Sequence, residues 1–365
     1  MAITSDHAQS ARPRDGSASE ARADELNDCF AIAAGLNPVF EHHYRIAGRA
    51  VRMRFCGATV YERLSLACAH LVSESTDDPE LTINFWDSAG SDRATPGLPV
   101  IEEAPDELGA LYHLDTGSIQ AGYQPIGRVL SALDEGRRTA WCWVADAAAV
   151  PYYVASAPIR YILHWWLGAR GIHQVHAGAV GIAAGGVLFV GPSGSGKSTS
   201  SLANLGSSLL YAGDDYVAVS LDPEPYVHSL FCSGKIEPRH SQRFPHLLSS
   251  IWNSDKLDTE KAAIFVHQSH PEQTTLGFPI RAVLIPRVTG RPETRIVKGS
   301  KVAALAALAP STIIQLQVPI EGAFPVMRTL MERVPCFLFE LGGDLADIPK
   351  VLTPFIERMN AEASD

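Results

Sequence analysis

The sequence predicts an α/β fold from residue 151 to the end of the chain, preceded by a smaller α+β domain. Two observations support this prediction. In the second part, short apolar segments alternate with helical patterns, which is typical of βαβ units. A glycine-rich segment, Gly191-Pro-Ser-Gly-Ser-Gly-Lys-Ser198, lies between one apolar segment and the start of a helical pattern. This placement is typical of folds that bind phosphate groups at a helix N-terminus.

Composition and charge exclude several classes of protein. The chain has 365 residues, of which 46% are hydrophobic and 19% charged, which suits a soluble protein of two domains. A net charge of −10 argues against a general nucleic-acid surface, which would need a basic stripe. No apolar run reaches the ~18 residues of a membrane helix, and the N-terminus lacks the apolar segment of a signal peptide. We therefore expect neither nucleic acid nor membrane as a partner.

The cysteines indicate the compartment. The six cysteines are scattered along the chain and form neither a C-x-x-C pair nor a zinc-binding spacing. This usage favours small buried side chains in the reducing cytoplasm over a disulfide framework.

The first 150 residues are predicted to hold a disordered tail and one small domain. Residues 1–24 are rich in Ser, Ala, Asp and Arg and have no hydrophobic period, which predicts disorder. Residues 25–150 are predicted to form an α+β domain of unknown role. Its expected elements are strands around 43–55, at 81–86 and at 139–144, a helix within 57–76, and a proline-containing acidic loop over 91–115.

Residues 151–365 are predicted to form the second domain. Ser156–Leu167 reads as an amphipathic helix, with Ser156 as its N-cap and Pro158 in its first turn. The predicted strands that follow are 174–182, 187–190, 209–212, 216–219, 262–266, 281–285 and 336–340. The predicted helices are 301–308, 323–331 and 348–359.

The glycine-rich segment fits the pattern G-x-x-x-x-G-K-[ST] of the phosphate-binding loop called Walker A or P-loop. Its glycines let the main chain approach oxygens that a Cβ would block. We expect Lys197 to bridge the β- and γ-phosphates and the Ser198 hydroxyl to ligate Mg²⁺. The residues expected at the phosphates are Gly191, Ser193, Gly194, Ser195, Gly196, Lys197, Ser198 and Thr199. The pattern predicts a nucleoside triphosphate and leaves ATP and GTP open.

Two adjacent carboxylates and one histidine are candidates for the chemistry. Asp214 and Asp215 directly follow a predicted strand. One carboxylate of such a pair can hold Mg²⁺, while the other orients and deprotonates an attacking hydroxyl. His176 lies on the strand before the one that leads into the P-loop. Hairpin pairing of these two strands would bring its imidazole near the phosphates, where it could orient the catalytic carboxylate.

These residues also carry a family resemblance. The runs His176-Ala-Gly-Ala-Val180, Gly186–Ser198 and Ala212-Gly-Asp-Asp215 resemble, in order and spacing, the core of the HPr serine kinase family. The resemblance covers residues 173–220. It implies a P-loop fold similar to that of phosphoenolpyruvate carboxykinase, a homo-oligomer, and transfer of the γ-phosphoryl group from ATP to a serine hydroxyl with Mg²⁺ present.

Carried over residue by residue, the resemblance makes Asp214 the base toward the serine hydroxyl, with His176 beside it. Asp215 and Ser198 would then lie on the metal side, and Lys197 on the phosphates. The order of roles within the acid pair stays open.

The chain departs from the family in three places. Thr199 stands where the family typically has an acidic residue, and Ser233-Gly-Lys-Ile-Glu-Pro-Arg239 replaces a glycine-rich signature linked to phosphorolysis. The N-terminal domain does not resemble that of HPr kinases, so HPr is not the expected acceptor. Some divergent relatives, called HprK-related kinases, occur with lasso-peptide biosynthesis enzymes and phosphorylate the C-terminal serine of the precursor. This chain is similar to them in layout.

Three further cations and two alternative functions complete the sequence-based interpretation. Lys235, Arg239 and Arg243 follow the acid pair and are candidate ligands for the transferring phosphoryl group or for an acidic acceptor. One alternative is a carboxykinase-like phosphotransferase acting on a small metabolite. The other is a non-catalytic ATP-binding module that regulates a partner. The pair of acids together with His176 favours the kinase over a simple switch.

Overall fold

A computed structural model describes residues 16–99, 111–316 and 323–364 of the chain. Its strands are β1 (Val39–Ile46), β2 (Arg49–Cys56), β3 (Leu81–Asp87), β4 (Tyr112–His113), β5 (Gln120–Gln124), β6 (Val129–Asp134), β7 (Thr139–Val144), β8 (His173–Val175), β9 (Ala177–Ile182), β10 (Gly185–Val190), β11 (Leu210–Gly213), β12 (Val217–Ser220), β13 (Tyr226–Ser229), β14 (Ser233–Ile236), β15 (Ala262–Phe265), β16 (Gly277–Val288), β17 (Arg295–Lys298) and β18 (Cys336–Leu341). Its α-helices are α1 (Gly16–Leu36), α2 (Ala58–Leu64), α3 (Tyr152–Ser156), α4 (Arg160–Gly168), α5 (Lys197–Leu202), α6 (Val266–Ser269), α7 (Lys301–Leu316), α8 (Ala323–Arg333) and α9 (Asp347–Ser364).

Strands β1 to β7 form one sheet in the order β1-β2-β3-β7-β6-β5-β4. Helix α1 packs on one face of this sheet, because apolar side chains recur on it at helical spacing and are buried against the tryptophans of β3 and β7. Residues 16–24, which we expected in a disordered tail, belong to this helix, and Ala23 is fully buried. The many polar residues of this segment made its narrow apolar stripe hard to detect from the sequence. Residues 1–15 of the expected tail lie outside the described residues.

The other expectations for this region have mixed outcomes. Strands at 81–86 and 139–144 are confirmed by β3 and β7. The single strand expected around 43–55 is a hairpin, because the chain turns at Ala47-Gly48, both with positive φ. The helix expected within 57–76 is α2 followed by a 3₁₀ helix, Leu66–Leu71. Part of the loop expected over 91–115, residues 100–110, lies outside the described residues.

The helix predicted over Ser156–Leu167 is wrong, because the chain forms two helices there. Helix α3 ends at Ser156 and α4 begins at Arg160. Ala157 between them has φ −153°, because the ring of the following Pro158 disfavours helical geometry in the residue before it. Ser156 therefore ends one helix instead of capping the next.

The second sheet runs in the order β11-β9-β10-β16-β13-β12-β8, with β18 also on β16 and β17 on β18. Strands β9 and β10 form the expected antiparallel hairpin, with Ala177 opposite Val190. Strand β10 is parallel to β16, and β16 to β18, so the carboxyl ends of all three meet at one edge. Strands β14 and β15 form a separate pair. The strand expected over 174–182 is divided at His176 into β8, which pairs with β12, and β9.

The two sheets share one hydrophobic core. Buried side chains of β2 and β3, of α4 and of the segments around Tyr216 and Phe231 contact one another in a single cluster. The main chain also joins the two parts, because the Cys232 N–H donates to the Ala67 carbonyl at 2.8 Å. The N-terminal sheet is thus packed directly against the part that carries the P-loop.

Two smaller expectations concern the membrane and the cysteines. No helix of the described ranges is both long and apolar enough to pass through a bilayer. All six cysteines are buried and none forms a disulfide, in agreement with their expected role as small core side chains.

Removing a core side chain from α4 should destabilise both sheets together. Leu163 is fully buried in the shared cluster, so Leu163→Ala should lower the free energy of unfolding by about 2–5 kcal/mol. Leu276 is 50% exposed, and Leu276→Ala is the matched control, with an expected loss of about 1 kcal/mol or less. Urea unfolding followed by tryptophan fluorescence measures both. Equal losses in the two variants would contradict the shared core.

Candidate active site

The P-loop leaves β10 at Val190 and leads into α5, whose first residue is Lys197. Gly194 and Gly196 have φ of 79° and 107°, a left-handed conformation that favours glycine. A Cβ on Gly196 would also lie 2.6 Å from Leu341 Cδ1 at the end of β18. The loop is therefore shaped by its glycines and by the neighbouring strand.

Lys197 is buried at the base of this loop. Only 6% of it is exposed, and burial lowers the pKa of its ammonium. Its Nζ donates to the carbonyl oxygens of Gly191 at 2.7 Å and Pro192 at 3.1 Å. The Ser195 hydroxyl is buried in the same loop without a hydrogen-bond partner among the described residues. The loop thus presents a desolvated cation and a free hydroxyl, which suits an anionic ligand.

Asp214 is the more deeply buried member of the acid pair, with 2% exposure. Its Oδ2 accepts from the Lys235 backbone N–H at 3.1 Å, whereas Oδ1 is buried without a hydrogen-bond partner in the described part of the chain. Burial and the neighbouring charge of Asp215 raise the pKa of Asp214 to about 6, while the Lys235 N–H and the nearby Ser198 hydroxyl lower it by less. Asp214 is therefore a buried carboxyl that the Lys235 backbone and the Ser198 hydroxyl both influence.

Both oxygens of the Asp215 carboxylate have side-chain partners. Its Oδ2 lies 2.6 Å from Lys235 Nζ, and its Oδ1 lies 2.9 Å from His176 Nε2. Burial alone would raise the pKa of Asp215, but the Lys235 ammonium and the His176 hydrogen bond hold it well below its usual range. Asp215 is therefore an ionised carboxylate at neutral pH.

His176 occupies the point at which the chain passes from β8 to β9. Its backbone N–H donates to Thr312 Oγ1 at 3.1 Å, and its Nδ1 contacts the Ser311 hydroxyl. Both hydroxyls belong to α7. The imidazole is thus held between α7 on one side and Asp215 on the other.

The contacts of the acid pair favour the second of the two orders that the sequence left open. We expected His176 beside Asp214 and placed Asp215 on the metal side with Ser198. His176 instead contacts Asp215, and the Ser198 hydroxyl influences Asp214. The two acids thus face different groups, although both contact Lys235.

One cavity of about 620 Å³ brings most of the candidate residues together. Its walls include the P-loop from Ser193 to Thr199 except Ser195, together with His176 and Asp215. The three candidate cations also line it, but their surroundings differ. Lys235 is paired with Asp215 and is therefore not a free phosphate ligand. Arg239 and Arg243 are exposed at the rim, and Arg243 donates to the Gly343 carbonyl at 3.1 Å.

Several residues of the cavity were missed by the sequence analysis. Arg160, which is 7% exposed, lines it and donates to the hydroxyls of Tyr216 at 3.1 Å and Tyr161 at 2.9 Å. Lys261 lines it too and pairs with Glu237 at 2.8 Å. A cation inside an otherwise apolar helix was the available signal for Arg160. Lys261 has no local signal, because only the tertiary fold brings it to the cavity.

Two oxygen-bearing side chains of the site could hold a Mg²⁺ ion together with nucleotide phosphates. Within the described ranges, no group of three or more His, Cys, Asp or Glu side chains is placed to hold a metal by itself. Mg²⁺ at nucleotide sites usually takes only one or two protein ligands besides phosphates and water. The Ser198 hydroxyl, which lines the cavity, and Oδ1 of Asp214, which is buried behind its wall, are the candidates for such a pair of oxygens.

The raised pKa of Asp214 predicts a pH-dependent gain in stability for Asp214→Asn. The pKa of Asp214 is higher in the folded state than in the unfolded state, where it is near 3.8. Ionisation of Asp214 therefore destabilises the folded state as the pH rises from 4 to 6. Asparagine does not ionise. We expect a gain of up to about 3 kcal/mol above pH 6 that disappears near pH 4.

Urea unfolding in metal-free buffer at several pH values measures this difference. Asp215→Asn is the matched control, because the depressed pKa of Asp215 stabilises the folded state above the unfolded pKa. It should therefore lose stability at neutral pH. A gain for Asp214→Asn that does not change between pH 4 and 7 would contradict the assignment.

The chain is distantly similar to solved structures. No protein-family model and no curated protein sequence matches the chain. Among solved structures, the chain is similar to one described as "Structure of the Hpr(Ser) kinase/phosphatase from Coxiella burnetii". The identity is 14% and the TM-score 0.29, over 52% of this chain and 99% of that chain.

Proposed function

We propose that this protein is an ATP- and Mg²⁺-dependent kinase that transfers the γ-phosphoryl group to a serine hydroxyl of a peptide or protein. One observation carries the proposal. Asp215 lines the same cavity as Lys197 and Ser198, and Lys235 and His176 keep it ionised. A nucleotide-binding switch has no need of a second carboxylate fixed in this way.

The nucleotide side of the proposed site is formed by the P-loop. Lys197 and the loop amides would bind the β- and γ-phosphates, with the Ser195 hydroxyl as a further donor. Ser198 and Asp214 would hold Mg²⁺, which neutralises charge on the β- and γ-phosphate oxygens. Asp214 suits this task because its free oxygen is already desolvated.

The acceptor side of the proposed site is formed around Asp215. The serine hydroxyl would donate a hydrogen bond to the Asp215 carboxylate. As the bond from the serine oxygen to phosphorus forms and the bond to the ADP oxygen breaks, the hydroxyl proton passes to Asp215. The low pKa of Asp215 makes it a weak base, so its main contribution is to orient the hydroxyl in line with the phosphoryl group.

The wall beyond Asp215 favours an acceptor that carries a negative charge. Arg160 is a buried guanidinium held by two tyrosine hydroxyls, and the charge of Asp215 also acts on it. Within the described residues it forms no ion pair at contact distance, so it can bind a carboxylate of the acceptor. The C-terminal serine of a lasso-peptide precursor is one acceptor of this class, and a small carboxylate metabolite is the alternative.

Replacing Asp215 should remove transfer without removing nucleotide binding. We expect Asp215→Asn to lower kcat by about 100-fold or more, because the hydroxyl loses its orienting acceptor. The KM for ATP should change little, since the P-loop is intact. Transfer from radiolabelled ATP to a set of serine peptides measures this effect. Asp255→Asn, at an exposed position, is the control.

The other outcomes of this experiment discriminate between functions. An unchanged kcat in Asp215→Asn would remove Asp215 from the chemistry. Transfer to small carboxylates but to none of the peptides would favour the metabolite phosphotransferase. Tight ATP binding with release of phosphate alone would favour the regulatory module.

Replacing Arg160 should weaken the binding of acidic acceptors. Arg160→Gln is expected to raise KM for a peptide with a carboxylate next to the serine by about 10- to 100-fold. This corresponds to the free energy that one hydrogen bond to a charged group contributes. KM for ATP should stay the same. Arg170→Gln is the matched control, because Arg170 pairs with Glu135 at 2.8 Å. Equal KM values in wild type and Arg160→Gln would contradict the role.

A further inference from the structure

Helix α7 contacts the site through one face. Ser311, Thr312 and Gln315 are one, three or four positions apart and therefore lie on adjacent parts of the helix surface. Ser311 and Thr312 contact His176, and the Gln315 side chain accepts from the Tyr216 hydroxyl at 3.3 Å. No signal in the sequence connects this helix with residues more than a hundred positions earlier.

The hydrogen bonds of Asp215 fix the tautomer of His176. Asp215 Oδ2 is paired with the Lys235 ammonium at 2.6 Å, and a carboxylate paired in this way accepts hydrogen bonds. His176 Nε2 therefore carries the hydrogen that points to Asp215 Oδ1, which lies 2.9 Å away. In the neutral ring, Nδ1 is then an acceptor. The group that contacts Nδ1 is the Ser311 hydroxyl, which can donate to it.

We propose that Ser311 is a positioning residue, whose hydroxyl holds His176 in the Nε2–H tautomer and in the orientation that directs Nε2 at Asp215. The role of Ser311 in transfer rests on the proposed kinase function, whereas its effect on the tautomer does not. Without this donor, the tautomer with hydrogen on Nδ1 becomes available, and in that tautomer Nε2 presents a lone pair to the Asp215 carboxylate. The resulting repulsion turns the imidazole away and frees Asp215 from one of its two side-chain partners.

A purely structural role is the alternative reading. Serine in a helix often bonds to a carbonyl one turn earlier, and its loss then changes only stability. The neighbouring Thr312 has a structural role, because its hydroxyl accepts from the His176 backbone N–H and does not contact the ring. The contact of Ser311 with the ring nitrogen is what separates the two readings.

The first measurement is the tautomer itself, read from the ¹⁵N spectrum of protein labelled at histidine, with His176→Gln to assign the signals. We expect neutral His176 to be Nε2–H in the wild type and to become a mixture of tautomers in Ser311→Ala. Ser311→Thr, which keeps a hydroxyl, should restore the single tautomer. Ser300→Ala, just before the same helix, is the control, because the Ser300 hydroxyl accepts from the Ala303 backbone N–H and does not contact His176. An unchanged tautomer in Ser311→Ala would overturn the proposal, whether or not the protein transfers phosphate.

The second measurement is a double-mutant cycle on phosphoryl transfer. We expect Ser311→Ala to lower kcat by about 10-fold with KM for ATP unchanged. Combined with His176→Gln, it should cause no further loss, because Ser311 acts through that ring. Additive losses, or a fall in thermal stability that Ser311→Thr does not reverse, would overturn the positioning role. A wild-type protein that transfers phosphate to no acceptor would overturn the proposed kinase function and, with it, the role of Ser311 in transfer. The tautomer measurement would still test whether Ser311 fixes the His176 tautomer.

Discussion

The two bonds of Lys235 are the interaction on which the site depends. Two adjacent carboxylates at the end of a buried strand repel each other, and burial increases this repulsion. The backbone N–H of Lys235 donates to Asp214 and its ammonium to Asp215, so one residue holds both acids apart. Lys235 lies on β14, in the small sheet formed with β15. This sheet packs closely on α5, since a Cβ added at the neighbouring Gly234 would clash with the Leu202 side chain. The acids and the P-loop helix are therefore fixed relative to each other.

The position of the His176 imidazole follows from the break between strands β8 and β9. Strands β8 and β9 follow each other in sequence but pair with different neighbours, β8 with β12 and β9 with β10 and β11. A residue at such a change of partner is free of the regular ladder, and the backbone N–H of His176 bonds to Thr312 instead. Since Ala177 lies opposite Val190, His176 is placed beside the start of the P-loop. The same break lets its ring reach Asp215.

Local patterns identified the candidate residues that lie close together in the sequence. The hairpin of His176 is confirmed by the pairing of β9 with β10, and the roles of the P-loop and the acid pair stay predictions. The contacts that distinguish the two acids could not be predicted. The register of β11 against β9 shifts between Tyr211 and Gly213, and such a shift changes the side to which the next side chains point. Lys235 and Ser311 were assigned no part in holding the acids and His176, because only the tertiary fold brings them to the acid pair.

The break between α3 and α4 links the site to the shared core. Pro158 forces the chain out of helical geometry, and α4 then begins with Arg160, whose guanidinium reaches the Tyr216 hydroxyl. Tyr216 directly follows Asp215 and is buried in the cluster that both sheets share. Tyr216 thus connects the acid pair to the core that the two sheets share. Among the described residues, the N-terminal sheet lines no part of this cavity itself, and it contacts Tyr216 only within the shared core.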